Sequence, residues 1–283
     1  MNLTPGRRLT RGERTAYELV ETAWTSTRHT WMRARKVFWN FRYPGQVLVL
    51  DEAESDEWLD VLVRVPHPTS SGGVLGDPKF ECESVLALAD APWFLEPLDI
   101  LDQPDAPGET PVLVLADPHA ERVGAGPPAD PIEVMAHVRM MTEALAMLDH
   151  LHRAGLGASA LDPEDFLVDP TGRWFFLGTD RIGAAGGASA MSNDLAAWAT
   201  CVERLLGTTD RGPVEVAWPF VPALPEPARA SACGLFERVR RCLDPDPARR
   251  PASVSDFGRG RRGGRGALAS LRGLFGPRRP LSG

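Results

Sequence analysis

The sequence predicts an α+β fold in which strands come first and helices second. Up to about residue 116, short runs rich in Val, Leu and Trp alternate with turn residues, whereas long stretches with helical periodicity follow Asp130. The 283 residues are 43% hydrophobic and 24% charged, which is a globular composition with enough apolar side chains for a substantial core. Segregated strands and helices are typical of a two-layer α+β architecture.

Five runs predict the strands of the N-terminal part. The first two alternate between apolar and polar residues and are close enough to pair as a hairpin, and the other three are short runs rich in Val and Leu. The predicted strands are residues 17–24, 31–38, 47–50, 61–65 and 111–116. A Pro-, Gly- and Ser-rich linker spans residues 66–78, and residues 80–88 have helical periodicity.

Three helices are predicted in the C-terminal part. The first begins after Asp130, whose side chain suits the cap position and is followed by a proline in the first turn, and it runs to His152. The second covers residues 192–206 and ends before Gly207, and the third covers residues 233–243.

Cysteine usage and the N-terminal residues predict a cytoplasmic protein. Cys82, Cys201, Cys233 and Cys242 are scattered and lack metal-ligand spacing, which indicates buried thiols in a reducing compartment. The first residues lack the apolar segment of a signal peptide, and no apolar run is long enough to span a bilayer. The scarcity of lysine, with Lys36 and Lys79 alone, together with abundant Arg, Ala, Gly and Pro, suggests a GC-rich bacterial genome.

Two stretches in the helical half carry the functional signal. Residues 158–165 read Ala-Ser-Ala-Leu-Asp-Pro-Glu-Asp, and residues 178–180 read Gly-Thr-Asp. Their order and spacing, after a helix that ends in Leu-His, resemble the catalytic loop and the metal-binding loop of protein kinases. In a working kinase the first stretch contains His-Arg-Asp-Leu and the second Asp-Phe-Gly.

The resemblance places alanine and glycine where a kinase has its essential acids. Ala158, Ser159 and Ala160 replace the His-Arg-Asp motif, so Ala160 stands where an aspartate would accept the proton of the substrate hydroxyl. Gly178 replaces the aspartate that holds magnesium. Phosphoryl transfer depends on positioning and on metal-assisted charge stabilisation, so the resemblance implies no catalytic residue and no nucleotide or metal cofactor.

Other motifs agree with the kinase framework. Residues 192–194 read Ser-Asn-Asp, and residues 242–251 closely resemble the last-helix signature of bacterial Ser/Thr kinases. The resemblance implies structural roles for Asp194, which would accept backbone N–H bonds from the loop at 158–165, and for Arg250.

In the strand-rich half, residues 60–66 look like the strand that carries the nucleotide lysine of kinases, with Arg64 in the place of that lysine. Glu83 then matches the helix glutamate, which implies a bridging Arg64–Glu83 ion pair, because a guanidinium forks onto a carboxylate. An alternative alignment assigns this role to residues 47–50, which contain no basic side chain.

The phosphate-covering loop and the peptide-docking segment of kinases have no counterpart in the sequence. There is no glycine between Glu13 and Pro44, so the turn at residues 23–31 cannot bring bare backbone N–H groups to a phosphate. Residues 178–194 are rich in Ala, Gly and Ser and lack the Ala-Pro-Glu motif.

Two groups of side chains were weighed as metal ligands. Asp165 takes the place of the asparagine that ligates the second magnesium, and Asp162 and Asp180 lie nearby in sequence, although acids in such loops usually make turn hydrogen bonds or face solvent. His137, His150 and His152 share one predicted helix, where packing and hydrogen bonding are the favoured interpretation.

The C-terminal residues differ in class from the rest. From residue 258 the chain is rich in Arg and Gly, contains no acid and carries a short apolar stripe, which predicts a disordered tail suited to a polyanion, an anionic membrane surface or an acidic partner. A solvated terminus explains the same composition. The arginines that would make these contacts are Arg259, Arg261, Arg262 and Arg265.

The sequence is therefore identified as a pseudokinase: a two-lobed protein kinase-like fold with a small β-rich N-lobe at residues 1–116, a larger helical C-lobe at 117–257 and a tail at 258–283. The expected role is that of an inactive scaffold or regulator that binds a protein partner. Two alternatives stay open: an atypical ATP-dependent transferase that uses Asp165 and Asp180 as metal ligands, and an adaptor for nucleic acid or a membrane surface through the tail.

Overall fold

The protein was analysed as a computed structural model, which describes residues 4–11, 15–26, 28–39, 47–48, 60–67, 83–84, 86, 88, 91–101, 112–123, 128–206 and 220–259. The strands within these ranges are β1 (Arg8–Arg11), β2 (Thr15–Thr25), β3 (His29–Trp39), β4 (Val47–Leu48), β5 (Asp60–Pro66), β6 (Pro97–Leu101), β7 (Val112–Ala116), β8 (Glu121–Arg122), β9 (Leu156–Ala158), β10 (Phe166–Val168), β11 (Trp174–Phe176) and β12 (Ile182–Ala184). The α-helices are α1 (Pro131–Arg153), α2 (Ala188–Leu206), α3 (Glu226–Cys242) and α4 (Asp256–Arg259).

The N-terminal half forms one antiparallel sheet with the strand order β1-β2-β3-β5-β7-β6, and β4 pairs with β3 beside this path. The hairpin predicted from the two alternating runs is confirmed as β2 and β3. Side chains alternate between the faces of each strand. On β5, Val61, Val63 and Val65 pack into one buried cluster, whereas Leu62 joins another on the opposite face of the sheet.

The C-terminal half is built on α1, against which α2 and α3 pack. The predicted cap is confirmed: Asp130 accepts hydrogen bonds from the backbone N–H groups of Ile132 and Glu133, both at 2.8 Å. The apolar faces of these helices form the largest core cluster. Trp198 of α2 is fully buried in it and donates its Nε1–H to the carbonyl of Met141 at 2.9 Å, which fixes α2 on α1.

Several details differ from the sequence predictions. Helix α2 begins at Ala188 rather than at residue 192, so Asp194 lies in its second turn, and α3 begins at Glu226 rather than at residue 233. Cys233 is exposed, so the prediction that all the thiols are buried was wrong for this one, while Cys201 and Cys242 are buried and free. Cys82 lies outside the described residues.

Strand β6 was missed because it begins with Pro97 and carries Asp99, two residues that are depleted in strands. It pairs with β7 through an irregular register, and Asp99 is buried because Tyr17 donates its hydroxyl to the Asp99 carboxylate at 3.1 Å. Within the ranges that the structure describes, no helix is long and apolar enough to cross a membrane. The division into a β-rich N-lobe and a helical C-lobe is confirmed.

Candidate functional site in the interlobe cleft

The floor of the cleft is a loop whose acids cap one another. Asp162 accepts a hydrogen bond from the N–H of Glu164 at 3.1 Å, and Asp165 accepts one from the N–H of Asp162 at 3.0 Å, a reciprocal capping box around the 3-10 helix Pro163–Asp165. Arg204 of α2 also pairs with Asp162 at 2.5 Å. Asp162 therefore has a structural role in this loop.

Asp194 fastens the same loop to the helices below it. Its Oδ2 accepts a hydrogen bond from the Ala158 N–H at 3.1 Å and lies 3.0 Å from Nε2 of His152 on α1. A Cβ on Gly157 would lie 2.6 Å from this oxygen, so the close approach requires glycine there. Neither Gly157 nor the contact between His152 and Asp194 was predicted from the sequence.

Arg250 also has a local structural contact. Its Nε–H donates to the carbonyl of Asp244 at 2.8 Å, and the intervening Asp246 caps the 3-10 helix Pro247–Arg249 through the N–H of Ala248 at 3.0 Å. Asp194 and Arg250, the two residues that match the kinase framework, thus both form hydrogen bonds to backbone groups.

The roof of the cleft is the glycine-free turn between β2 and β3. Ser26 Oγ accepts hydrogen bonds from the N–H groups of Arg28 and His29 at 3.2 and 3.0 Å, so the turn is closed by a serine rather than by glycines. The side chain of Arg28 points into the cleft. Its two terminal nitrogens donate to Asp165, at 2.8 Å, and to Asp180.

Arg28 belongs to a group of five charged side chains, here named the arginine–aspartate cluster. Arg181 pairs with the second oxygen of Asp165 at 3.0 Å, and the guanidinium of Arg64 lies 4.0 Å from Asp180. The side chains of Asp165 and Asp180 are only 8% and 3% exposed. The members of the cluster are Arg28, Arg64, Arg181, Asp165 and Asp180.

Burial and the charges of the cluster shift the pKa values of Asp165 and His29. Burial raises the pKa of Asp165 to about 6, although the guanidiniums of Arg181 and Arg28 oppose this rise. Burial lowers the pKa of His29 to about 2, and the positive charges of Arg64 and Arg28 lower it further. His29 is therefore neutral at physiological pH.

The inner part of the cleft is lined by buried apolar side chains from both lobes. Trp31 of β3 is 3% exposed and belongs to a buried cluster that includes side chains from both lobes. Its ring stacks on Trp24 at a centroid distance of 5.8 Å, and the Arg64 guanidinium lies 6.0 Å from its centroid. The other buried members are Leu62, Leu95, Leu113, Leu115, Ala120, Leu167, Phe175 and Leu177.

The segment that connects the lobes is held by Asp117, which is 1% exposed. Its carboxylate accepts hydrogen bonds from the N–H of His119 at 2.7 Å and from Nε of Arg33 at 3.1 Å. Its own N–H donates to the carbonyl of Asp60 at 3.4 Å. His119 has a φ of 52°, the only positive φ of a non-glycine residue in the described ranges, and the bond to Asp117 stabilises it there.

Gly178, in the place of the kinase metal aspartate, lies against other atoms. A Cβ at this position would lie 2.5 Å from the ring of Phe176 and 3.1 Å from the carboxyl carbon of Asp165. An aspartate would therefore require the backbone or Phe176 to move. Ala158 and Ser159 are tied to neighbouring strands, since β9 pairs with β12 and the Ser159 N–H donates to the carbonyl of Arg181 at 3.2 Å.

The remaining candidate ligands do not converge. Within the described residues, no group of three or more His, Cys, Asp or Glu side chains has a geometry that could hold a metal ion. His150 packs edge-on against Trp93, and His137 is buried, which lowers its pKa. Glu83 is exposed, and its pairing with Arg64 stays a prediction. Arg261, Arg262 and Arg265 lie outside the described residues, and Arg259 is the last residue of α4.

Sequence reasoning missed Arg28, His29 and Trp31 as cleft residues. The only available signal was a turn without glycine that contains bulky and basic side chains. This signal indicated that the turn could not cover a phosphate. It did not indicate that side chains at this turn would reach into the cleft.

No protein-family model and no curated protein sequence matches the chain. Among solved structures, the rhoptry antigen kinase domain of Toxoplasma gondii aligns with 96% of this chain and 89% of its own, at 14% identity and a TM-score of 0.55. A second structure is described as a divergent kinase that lacks the glycine-rich loop and regulates membrane ultrastructure of the Toxoplasma parasitophorous vacuole. It aligns with 70% of this chain and 69% of its own, at 17% identity and a TM-score of 0.43.

At such identities a likeness concerns the fold alone, and the first alignment, which covers both halves of the chain, is the one that supports it. The protein therefore has a protein kinase-like fold, with a curled antiparallel sheet in the N-lobe and a helical C-lobe.

Proposed function

We propose that the protein is a catalytically inactive kinase-like domain that acts by binding a protein partner. The observation that carries this proposal is that its own side chains fill the cleft: Trp31 fills the apolar part and Arg28 lies between the two buried aspartates.

The chemistry of the cleft supports inactivity. Phosphoryl transfer requires a metal that bridges the phosphates and an acid that orients the attacking hydroxyl. Ala160 has no group that could accept a proton, and Gly178 has no side chain. Asp165 and Asp180 are acids, but Arg28 forms ion pairs with both. A Mg²⁺ ion would have to displace this guanidinium from both carboxylates before it bound.

The apolar part of the cleft argues against nucleotide binding. A purine that entered between the lobes would have to displace Trp31 from the cluster it shares with Leu167 and Leu62. Removing the contacts of a buried tryptophan costs about 3–5 kcal/mol, as truncations to alanine indicate. That cost would offset a large share of the binding energy of a nucleotide.

The framework supports a role that depends on shape. Asp194 and the capping box of Asp162 and Asp165 hold the former catalytic loop in one conformation, although the loop has no catalytic acid. A loop kept in order without its chemistry is expected in a domain whose surface is recognised by another protein. The proposed partners are a kinase, a phosphatase or an effector encoded near this protein.

The test of inactivity is a thermal-shift titration with ATP, with and without Mg²⁺ or Mn²⁺. A ligand present at 100 times its Kd stabilises a protein by about 2.7 kcal/mol, which is easily seen as a rise in Tm. We expect no shift at micromolar ATP. A magnesium-dependent shift that disappears in both Asp165→Asn and Asp180→Asn would overturn the proposal and favour the ATP-dependent transferase.

The scaffold role is tested by co-elution of the purified protein with the products of neighbouring genes. We expect one of them to bind the wild type equally with and without ATP and Mg²⁺, because the proposed partner recognises the surface of the domain and not a bound nucleotide. If none of these proteins binds in the presence or absence of nucleotide, the scaffold proposal is wrong.

A further inference from the structure

We propose that the arginine–aspartate cluster is a lock, with Arg28 at its centre, that holds the two lobes closed without any ligand. The inference deepens the proposed function and rests on its premise that no nucleotide enters the cleft. A domain that works by shape needs a fixed arrangement of its lobes, and the lock supplies it from within the chain.

The position of Arg28 is what makes it a lock. It lies on the turn between β2 and β3 of the N-lobe, whereas Asp165 and Asp180 lie on two separate elements of the C-lobe, the 3-10 helices Pro163–Asp165 and Gly178–Arg181. The two terminal nitrogens of a guanidinium are fixed relative to one another, and here each contacts a different aspartate. One side chain therefore joins three elements across the cleft.

Both partners are held in place before they meet. Ser26 fixes the backbone of Arg28 and His29, and the capping box fixes Asp165, whose second oxygen is occupied by Arg181 at 3.0 Å. The pairing therefore requires little additional ordering of side chains, which is the usual cost of an ion pair.

Burial makes opening of the lobes unfavourable. The side chain of Arg28 is 21% exposed, and those of its two acids are almost completely buried. Opening of the cleft breaks these charge-assisted hydrogen bonds, and loss of Arg28 alone would leave two buried carboxylates with less compensating charge. Opening would also separate Asp180 from the guanidinium of Arg64, which lies on β5 of the N-lobe, 4.0 Å away.

A second arginine holds the same turn from the other side. Arg122 lies on β8, which pairs with β10 of the C-lobe. One of its terminal nitrogens donates to the carbonyl of Thr25 at 3.4 Å, and the other pairs with Glu164 at 3.0 Å. The turn that contains Thr25 and Arg28 is thus attached to the C-lobe at two points.

The experiment is hydrogen–deuterium exchange of the ligand-free protein, read at protected amides on both sides of the cleft. On the C-lobe side these are the N–H of Leu177, which donates to the Asp165 carbonyl at 2.7 Å, and the N–H of Asp165, which donates to the Asp162 carbonyl at 2.9 Å. The variants are Arg28→Met, Arg28→Lys and Asp180→Asn. Arg8→Met is the matched control, because Arg8 pairs with Glu18 at 3.2 Å within the N-lobe.

We expect Arg28→Met to speed exchange about tenfold at Leu177 and Asp165, an acceleration that corresponds to about 1.4 kcal/mol. Arg28→Lys should have a smaller effect, because an ammonium lacks the fork, and Arg8→Met should leave these amides unchanged. If exchange accelerates only in the turn at residues 26–31, Arg28 does not stabilise the C-lobe amides and the lock proposal is wrong.

A double variant distinguishes loss of the shared Arg28–Asp180 contact from a local folding defect. Arg28→Met and Asp180→Asn remove the same contact, so the double variant should exchange no faster than the faster single variant. If the two effects multiply instead, the residues act independently and the proposal is wrong. Should Arg28→Met fail to fold, Arg28→Lys takes its place in the same cycle. None of these outcomes depends on nucleotide or partner, so they are separate from the tests of the proposed function.

Discussion

The two sides of the cleft resemble a kinase to different extents. On the C-lobe side the loop at residues 158–165 is held by Asp194 and by a capping box, and Ala160 stands where a kinase has its catalytic aspartate. On the N-lobe side the turn has no glycine, Arg28 reaches across to Asp165, and Trp31 is buried in a cluster shared by both lobes. The difference shows that the C-lobe side has the ordered loop of the kinase fold, whereas the N-lobe side contributes side chains of its own to the cleft.

The largest expected effect concerns the N-lobe side. Trp31→Ala should lower the free energy of unfolding by about 3–5 kcal/mol, because it removes a buried tryptophan from the cluster shared by the lobes. Chemical denaturation of both proteins measures it. Trp24→Ala, at a half-buried position, is the control and should cost less. If both variants lose the same free energy of unfolding, Trp31 is packed no better than the half-buried Trp24.

The corresponding variant on the C-lobe side is Asp194→Ala. It should lower the free energy of unfolding by about 1–3 kcal/mol, because the Ala158 N–H would lose its acceptor in a buried place. Asp194→Asn retains an acceptor oxygen and should lose less. A loss of free energy of unfolding below about 0.5 kcal/mol, the typical size for a surface substitution, would show that the hydrogen bonds of Asp194 contribute little to stability.

Substitutions at Gly178 test whether a side chain fits where a kinase has its metal-binding aspartate. Gly178→Ala should destabilise the protein by about 1–3 kcal/mol, because its Cβ would meet the Phe176 ring at 2.5 Å. Gly183→Ala is the control, since no other side-chain or backbone atom lies within 4 Å of the added Cβ. Similar stabilities of the two variants, measured by thermal unfolding, would show that the Phe176 ring moves easily and that a side chain fits at this position.

The smallest effect is a dependence on pH. His29 has a folded pKa of about 2 against an ordinary 6.5, so its contribution is complete above pH 6.5 and is lost as the pH falls. Relative to His29→Gln, the wild type should lose about 1 kcal/mol of stability between pH 7 and pH 5.5. The groups that face His29 are Arg28, Arg64, Arg181, His67 and Asp180.

Asp165 acts in the opposite direction over the same range. Its folded pKa of about 6 lies above the ordinary 3.8, so its contribution to stability increases as the pH falls from 6 toward 4. Denaturation curves of wild type, His29→Gln and Asp165→Asn at several pH values separate the two contributions. Parallel pH profiles for wild type and His29→Gln would show that His29 is not held neutral.

The sequence predicted the elements that local patterns determine. The cap at Asp130, the hairpin of β2 and β3 and the apolar face of α1 all follow from residues close together in the chain. The α+β division followed from the same patterns. The loop with Asp162 and Asp165 was also identified, as the counterpart of the kinase catalytic loop, and its acids make the turn hydrogen bonds that were favoured over a metal site.

What the sequence could not predict are contacts between distant residues. Arg28 is separated from Asp165 by 137 positions and from Asp180 by 152, and no local pattern indicates that a turn arginine will reach either one. The crowding at Gly178 depends on where Phe176 and Asp165 place their atoms after folding. Asp180 was weighed as a metal ligand because its charge is visible in the sequence, whereas the guanidinium that neutralises it is not.

The connecting segment has a consequence for inhibitor chemistry. Flat heteroaromatic compounds that occupy clefts of this kind gain affinity from backbone N–H groups at the edge of the pocket. Here the N–H of Asp117 donates to the Asp60 carbonyl, and the N–H of His119 donates to the Asp117 side chain. Such a compound would have to break these bonds to obtain a donor. We therefore expect resins that carry immobilised heteroaromatic inhibitors to retain this protein poorly, so that antibodies or fused tags suit its isolation better.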